Sequence, residues 1–261
     1  MPAPIVLTAS GTSSRADATY RLLEAACRSR FPGREIRWAF ASDRVRELAM
    51  ARHGIHLPSP EEVLGRLEAD GHRRVLVQSV HLICGEEFHR VVRAASSSAL
   101  STVVGRPLLS SPGDLEALAG ALAPALDLPP DTLALWVGHG TRHPAGLIYD
   151  LLDRFLRDRF GDGVRLGVLQ GSPPVRALVD AWPETGRPTV RLLPFMLVAG
   201  AHARKDVDGD RDDSVRRLLE GKGARVEARL EGLLENPEVR GLFCDHIARG
   251  LSSVEDAASS G

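Results

Sequence analysis

Leu133-Ala-Leu-Trp-Val-Gly-His139-Gly-Thr141 is the stretch on which the fold turns. Its apolar run shows no 3.6-residue period and breaks off at a glycine, which reads as a strand over Thr132 to Val137. A helical pattern from Ala145 to Phe160 follows, and then a second strand, Val164-Arg-Leu-Gly-Val-Leu169. A strand, a helix and a strand at this spacing make a βαβ unit, whose crossover sets the two strands parallel. Ligands of open α/β sheets bind beyond the carboxyl ends of the strands. His139 stands at such an end, between two glycines that permit a tight turn and a close approach.

The alternation continues in both directions. Toward the N-terminus, Ile5-Val-Leu-Thr8 reads as a strand and Ala16 to Arg30 as a helix, then Glu35 to Ala41 as a strand and Arg44 to Arg52 as a helix. Ser59, Pro60 and Glu62 supply the cap, the first-turn proline and the capping-box acceptor of another helix, which Gly71 ends. Strands follow at Arg74 to Ser79 and Thr102 to Leu108, with Glu86 and Glu87 opening the helix between them. Ser111-Pro-Gly-Asp114 starts a helix that stops before Pro129-Pro130. Toward the C-terminus come a helix from Pro174 to Trp182, a strand from Pro188 to Pro194, a helix from Asp213 to Glu220, a short strand from Arg225 to Ala228 and a last helix from Pro237 to Leu251. Ser252 to Gly261, small and polar, reads as a frayed tail.

The two halves match in kind. Ile5-Val-Leu-Thr-Ala-Ser-Gly-Thr-Ser13 parallels the His139 stretch, and Val77-Gln-Ser-Val-His-Leu-Ile-Cys-Gly-Glu-Glu87 parallels Leu193-Pro-Phe-Met-Leu-Val-Ala-Gly-Ala-His202. In this register Ser10 falls opposite His139 and Glu87 opposite His202. The expected fold is α/β, with two similar lobes, each a mainly parallel sheet flanked by helices, related by a pseudo-twofold about a cleft. The lobes are expected at residues 1–128 and 129–261, joined near Leu126-Asp-Leu-Pro-Pro-Asp131, with the last helix free to pack on the first lobe.

Composition removes several function classes. A formal net charge of −1 and the lack of any basic or aromatic-interleaved run argue against a nucleic-acid partner. No apolar run reaches membrane-spanning length, and the N-terminus lacks the basic region of a signal peptide, so the expected location is the cytoplasm, away from membranes. Cys27, Cys84 and Cys244 are odd in number and without CxxC spacing, which argues against a disulfide framework or a zinc–thiolate site. With 43% hydrophobic residues in 261, the chain can bury a core without staples. It carries no G-x-S-x-G, Walker A or G-x-G-x-x-G motif, and no organic cofactor is expected.

Imidazole binds divalent metals and exchanges protons near neutral pH. His139 and His202, at the ends of two strands of one half, therefore point to metal chemistry. His143 is either a partner behind His139 or a helix-start residue. Glu87 is either an acid/base carboxylate opposite the histidines or, with Glu86, a charge favoured by the positive end of a helix. The turns Ser10-Gly11-Thr12-Ser13 and Gly140-Thr141 are rich in N–H and hydroxyl donors and suit carboxylates. Arg15, Arg142, Arg204 and Lys205 lie nearby in sequence. The acidic run from Asp206 to Asp213 fails the EF-hand spacing, since the required glutamate falls on Arg217, and reads as a solvated acidic loop near the cleft, able to serve as a transient metal funnel. His81, His89 and His246 follow no pattern and read as core or surface residues.

These segments, together with Arg37-Trp-Ala-Phe-Ala-Ser42, Gly138-His-Gly-Thr-Arg-His143 and Gly232-Leu-Leu-Glu-Asn-Pro-Glu-Val-Arg240, resemble the anaerobic cobalt chelatases. That family inserts Co²⁺ into sirohydrochlorin for cobalamin synthesis. The resemblance covers nearly the whole chain and implies the two-lobed class II chelatase fold, with sirohydrochlorin as partner and the metal ion as substrate. Co²⁺ is the implied ion. Fe²⁺, Ni²⁺ and Zn²⁺ also suit a mixed N/O site. The family's two metal-binding histidines correspond to His139 and His202. Its metal-binding glutamate would follow the strand ending at Leu169, where this chain has Gln170, a weaker ligand that cannot take up a proton. The departure leaves three readings: Glu87 supplies the charge, the metal is held weakly, or the activity has changed. Ferrochelation of the same macrocycle for siroheme and a non-catalytic tetrapyrrole- or metal-binding role are the alternatives. The sequence leaves a homo-oligomer open.

Overall fold

The computed structural model describes residues 2–11, 17–182, 186–200 and 203–259. Thr12, Ser13, Arg15 and His202, among the residues singled out above, lie outside the described residues. The chain divides into two compact units, one of residues 1–110 with 240–261 and one of residues 111–239.

The first unit carries β1 (Ile5–Ala9), α1 (Asp17–Arg30), β2 (Ile36–Phe40), α2 (Asp43–His53), α3 (Pro60–Ala69), β3 (Arg74–Ser79), α4 (Glu86–Ser96) and β4 (Ser101–Gly105). Its sheet runs in the order β2-β1-β3-β4, every pairing parallel. The second unit carries α5 (Pro112–Leu122), β5 (Thr132–Gly140), α6 (Leu147–Phe160), β6 (Val164–Gln170), α7 (Val175–Ala181), β7 (Thr189–Phe195), α8 (Val215–Glu220) and β8 (Arg225–Ala228). Its sheet runs β6-β5-β7-β8, again all parallel and in the same relative order. All of β1, and β5 from Thr132 to Gly138, are buried. That is why both strands read as continuous apolar runs rather than alternating ones.

Local signals place the helices. The Ser59 hydroxyl accepts from the Glu62 backbone N–H at 3.2 Å, and the Glu62 carboxylate accepts from the Ser59 N–H at 3.4 Å, closing the capping box of α3. Val63, Leu64 and Leu67 then turn inward against Val6, Val75 and Val77 of β1 and β3. In the second unit Val175 and Val179 of α7 pack with Leu133, Leu135 and Val137 of β5.

Two expectations need correction. The final helix, α9 (Pro237–Ser259), does not stop at Leu251 with a frayed tail but runs to Ser259. It is anchored along its length in the first unit: Cys244 Sγ lies 4.0 Å from Cys27 Sγ, and His246 Nδ1 lies 3.1 Å from the Arg106 carbonyl. A Cβ on Gly250 would sit 2.5 Å from a Leu76 methyl, so the helix approaches β3 closely there. The unit boundary also falls after Ser110 rather than at 128, so α5 belongs to the second unit. Arg159 of α6 pairs with Glu116 of α5, and the Asn236 side-chain amide donates to the Ala121 carbonyl at 2.8 Å. No described helix is long and apolar enough to cross a membrane.

Candidate functional site

Glycines shape the end of β5. Gly140 has φ +73°, and a Cβ there would lie 2.0 Å from the Gln170 carbonyl oxygen. Gly171, at φ +99°, faces the reciprocal restriction, with a Cβ 2.4 Å from the Thr141 carbonyl oxygen. Only glycine tolerates both the left-handed backbone and the missing space. The turns after β5 and β6 therefore interlock. His139, exposed at the end of an interior strand, is held beside Gln170 at the end of the adjacent strand.

A cavity of about 330 Å³ opens at this strand end, lined by His139, Leu169, Gln170, Asp206 and Asp213. His139 Nδ1 lies 3.1 Å from the Gly140 carbonyl oxygen. A carbonyl can only accept, so this contact puts the ring proton on Nδ1 and the lone pair on Nε2. That tautomer suits Nε2 to metal ligation.

The acidic residues reach the cavity through a built loop. Beyond β7 the backbone of Met196 and Leu197 accepts hydrogen bonds from Leu233 N–H at 2.8 Å and Leu234 N–H at 3.1 Å. A Cβ on Gly232 would meet the Leu197 carbonyl at 2.7 Å, which explains the glycine of the Gly232-Leu-Leu-Glu-Asn segment. A π-helical turn, Ala203–Val207, then presents Asp206. The Ser214 hydroxyl donates to the Gly209 carbonyl at 2.6 Å and accepts from Arg217 N–H at 3.2 Å, capping α8. Arg216 pairs with Asp208 at 2.6 Å. The acidic loop expected near the cleft is exposed from Asp210 to Asp213 yet fastened at both ends, and two of its carboxylates, Asp206 and Asp213, face the His139 cavity. A serine cap just after the acidic run was the one signal of order in the sequence.

His143 takes the helix-start role. Its Nδ1 accepts from the Ala145 backbone N–H at 3.1 Å and caps the 3₁₀ turn Pro144–Gly146. Thr141 spends its hydroxyl on the His143 N–H at 3.0 Å. Among the described residues no three His, Cys, Asp or Glu side chains converge on one point that could hold a metal ion.

In the first unit, the end of β1 turns through Gly11 at φ +95°, packed under Phe40 and Val45. Ser10 just before it is half-buried. Tyr20 is buried beside this turn; burial holds its phenol protonated far above the ordinary range, partly opposed by a hydrogen bond to the Gly11 backbone. Glu87 stands in the first turn of α4, with Oε2 4.0 Å from His81 Nε2. His81, expected to be an ordinary core or surface residue, is buried in contact range of a candidate carboxylate. Nothing in its sequence spacing marks that role.

A family model described as "Cobalt chelatase (CbiK)" matches residues 4–252. The sirohydrochlorin cobaltochelatase CbiKC of Nitratidesulfovibrio vulgaris is 33% identical, over 97% of this chain and 92% of that one. The sirohydrochlorin cobaltochelatase of Salmonella typhimurium is 35% identical, over 92% of this chain and 91% of its own. Among solved structures, SirB from Bacillus subtilis with Fe³⁺ superposes with a TM-score of 0.67 at 14% identity, covering 98% of each chain. CbiX, titled the terminal enzyme for biosynthesis of siroheme in denitrifying bacteria, superposes at 0.59 and 16% identity, over 94% of this chain and 98% of its own. The two structural likenesses bear on the fold, which is that of the two-lobed chelatases. With the match spanning nearly its full length, the chain belongs to the CbiK cobalt chelatase family.

Proposed function

We propose that this chain inserts Co²⁺ into sirohydrochlorin, with the metal ion as substrate and no organic cofactor. The supporting observation is His139, held by interlocked glycine turns in a cavity shared with Gln170 and two aspartates. It stands in a chain that matches two cobaltochelatases almost end to end.

The reaction exchanges two pyrrole N–H protons for one divalent cation. His139 Nε2 can bind the cation or take a proton, never both at once, so metal and proton alternate on it. In this reading His139 and His202 are the nitrogen ligands and the Gln170 amide oxygen is a neutral third. Asp206 and Asp213 add negative charge to the same cavity. A neutral ligand at position 170 weakens the hold on the cation, which favours its release into the macrocycle. Glu87 is a proton acceptor. The turns Ser10-Gly11-Thr12-Ser13 and Gly140-Thr141 receive the peripheral carboxylates of the tetrapyrrole, since both glycines take the left-handed conformation that exposes backbone N–H groups at a strand end.

Gln170 also favours a second reading, a protein that binds tetrapyrrole or metal without turnover. Absorbance-monitored incubation of sirohydrochlorin with Co²⁺ separates the two. The chelatase accelerates the spectral change above the protein-free control, and His139→Ala abolishes that acceleration. Saturable binding at the uncatalysed rate would establish the carrier. A faster reaction with Fe²⁺ than with Co²⁺ would move the assignment to siroheme synthesis.

A further inference from the structure

We propose that His81, locked by Ser79, is the positioning residue for the Glu87 carboxylate, an inference that rests on Glu87 being a proton acceptor. Ser79 is the last residue of β3, and His81 lies two residues on, just beyond the strand. The Ser79 hydroxyl is 2.8 Å from His81 Nδ1, and both residues are buried, His81 to 8% exposure. On the other side of the ring, His81 Nε2 and Glu87 Oε2 are buried atoms without a hydrogen-bond partner among the described residues, and they lie 4.0 Å apart.

Burying a donor and an acceptor unpaired is unfavourable, and native proteins seldom leave such atoms idle. A hydroxyl can donate or accept, whereas a carboxylate can only accept, so the carboxylate decides the tautomer. The ring hydrogen belongs on Nε2, facing Glu87, and the Ser79 hydroxyl donates to Nδ1. A small rotation of the Glu87 side chain closes the gap to a hydrogen bond of about 2.9 Å. Nε2–H then fixes one carboxylate oxygen and the plane of the group, leaving the second oxygen to take a pyrrole proton. With Nδ1 bonded and Nε2 already protonated, His81 has no site for that proton itself.

The test uses the full-length protein and the rate of Co²⁺ insertion into sirohydrochlorin. Glu87→Gln should lower kcat. His81→Phe should lower kcat about tenfold, the scale of losing a residue that orients a reacting group, with KM for sirohydrochlorin unchanged. His81→Gln, which restores an N–H near the Nε2 position, should recover most of the rate. His81→Asn keeps an amide toward Ser79 but has no atom at Nε2; it should match the phenylalanine variant and covers the case in which that variant does not fold. In the Glu87→Gln background, none of the His81 substitutions should reduce kcat further. Wild-type kcat in His81→Asn, or an undiminished loss in the Glu87→Gln background, overturns the positioning role while leaving Glu87 standing. Wild-type kcat in Glu87→Gln overturns the Glu87 assignment and this inference with it.

Discussion

Gly140 of β5 pairs with Gln170 of β6 so closely that a methyl group on Gly140 would lie 2.0 Å from the Gln170 carbonyl oxygen. The backbone at Gly140 is also left-handed, at φ +73°. His139 owes its place beside Gln170 to this contact. Gly140→Ala should therefore do two things. Strain and overpacking should cost about 2–4 kcal/mol of stability, read by urea unfolding. Parting the strand ends should also remove Co²⁺ insertion in the fraction that stays folded. A variant with wild-type stability and rate would show that the turn is not what holds the histidine.

The sheets were legible because every strand is parallel and the interior strands β1 and β5 are covered on both faces, so Ile5 to Thr8 and Leu133 to Val137 are unbroken apolar runs with no competing helical period. The Ser59–Glu62 capping box was legible because its chemistry is complete within four residues. What escaped depends on chain segments distant in sequence. The acidic run was expected near the cleft, but which of its carboxylates meet Gln170 depends on a π-helical turn beyond β7 that no local pattern announces. His81 has an unremarkable spacing, and its significance comes from Ser79 and Glu87 converging on it. The length of α9 escaped because small polar residues near its end look like a tail, while Val254 among them packs inward.

Burial lowers the His81 pKa from its ordinary 6.5 to about 4. Between those values the unfolded chain binds a proton that the folded chain refuses, so protonation favours unfolding. The stabilisation from neutral His81 is complete above about pH 6.5 and falls away as pH drops toward 4, by roughly 3 kcal/mol at most. Other groups titrate at the acidic end, so the informative quantity is the difference between wild type and His81→Gln. Urea midpoints followed from pH 7 to pH 4 should converge as pH falls. Parallel curves across the window would mean that His81 is solvated and takes up its proton normally.

The Cys27 and Cys244 sulfurs are 4.0 Å apart in the first unit, and Cys84 is half-buried. The hydrogen bond between the thiols, together with burial, pushes the Cys27 thiol far above its usual range. Reactivity toward a disulfide reagent follows the exposed thiolate. In the native protein Cys84 should react first, with Cys27 and Cys244 following at the rate of unfolding. Mass spectrometry of peptides labelled with an aromatic disulfide reagent reads the order directly. Rapid labelling of Cys27 in the folded state would show that α9 detaches from α1 readily.

Gln170 gives the sharpest test of the metal site. Gln170→Glu changes an amide to a carboxylate with almost no change in shape, in a cavity that already holds Asp206, Asp213 and His139. If position 170 ligates the cation, the added charge should tighten Co²⁺ binding about tenfold, equivalent to about 1.4 kcal/mol, measured by calorimetry and by the cobalt absorption bands. Tighter binding opposes transfer to the macrocycle. At saturating Co²⁺ the turnover rate should therefore fall even as affinity rises. The gain in affinity should also vanish as pH drops and the new carboxylate protonates, since a metal competes with protons for its ligands. If affinity and rate both match wild type, the Gln170 amide does not touch the metal, and the negative charge that attracts the cation comes from the two aspartates alone.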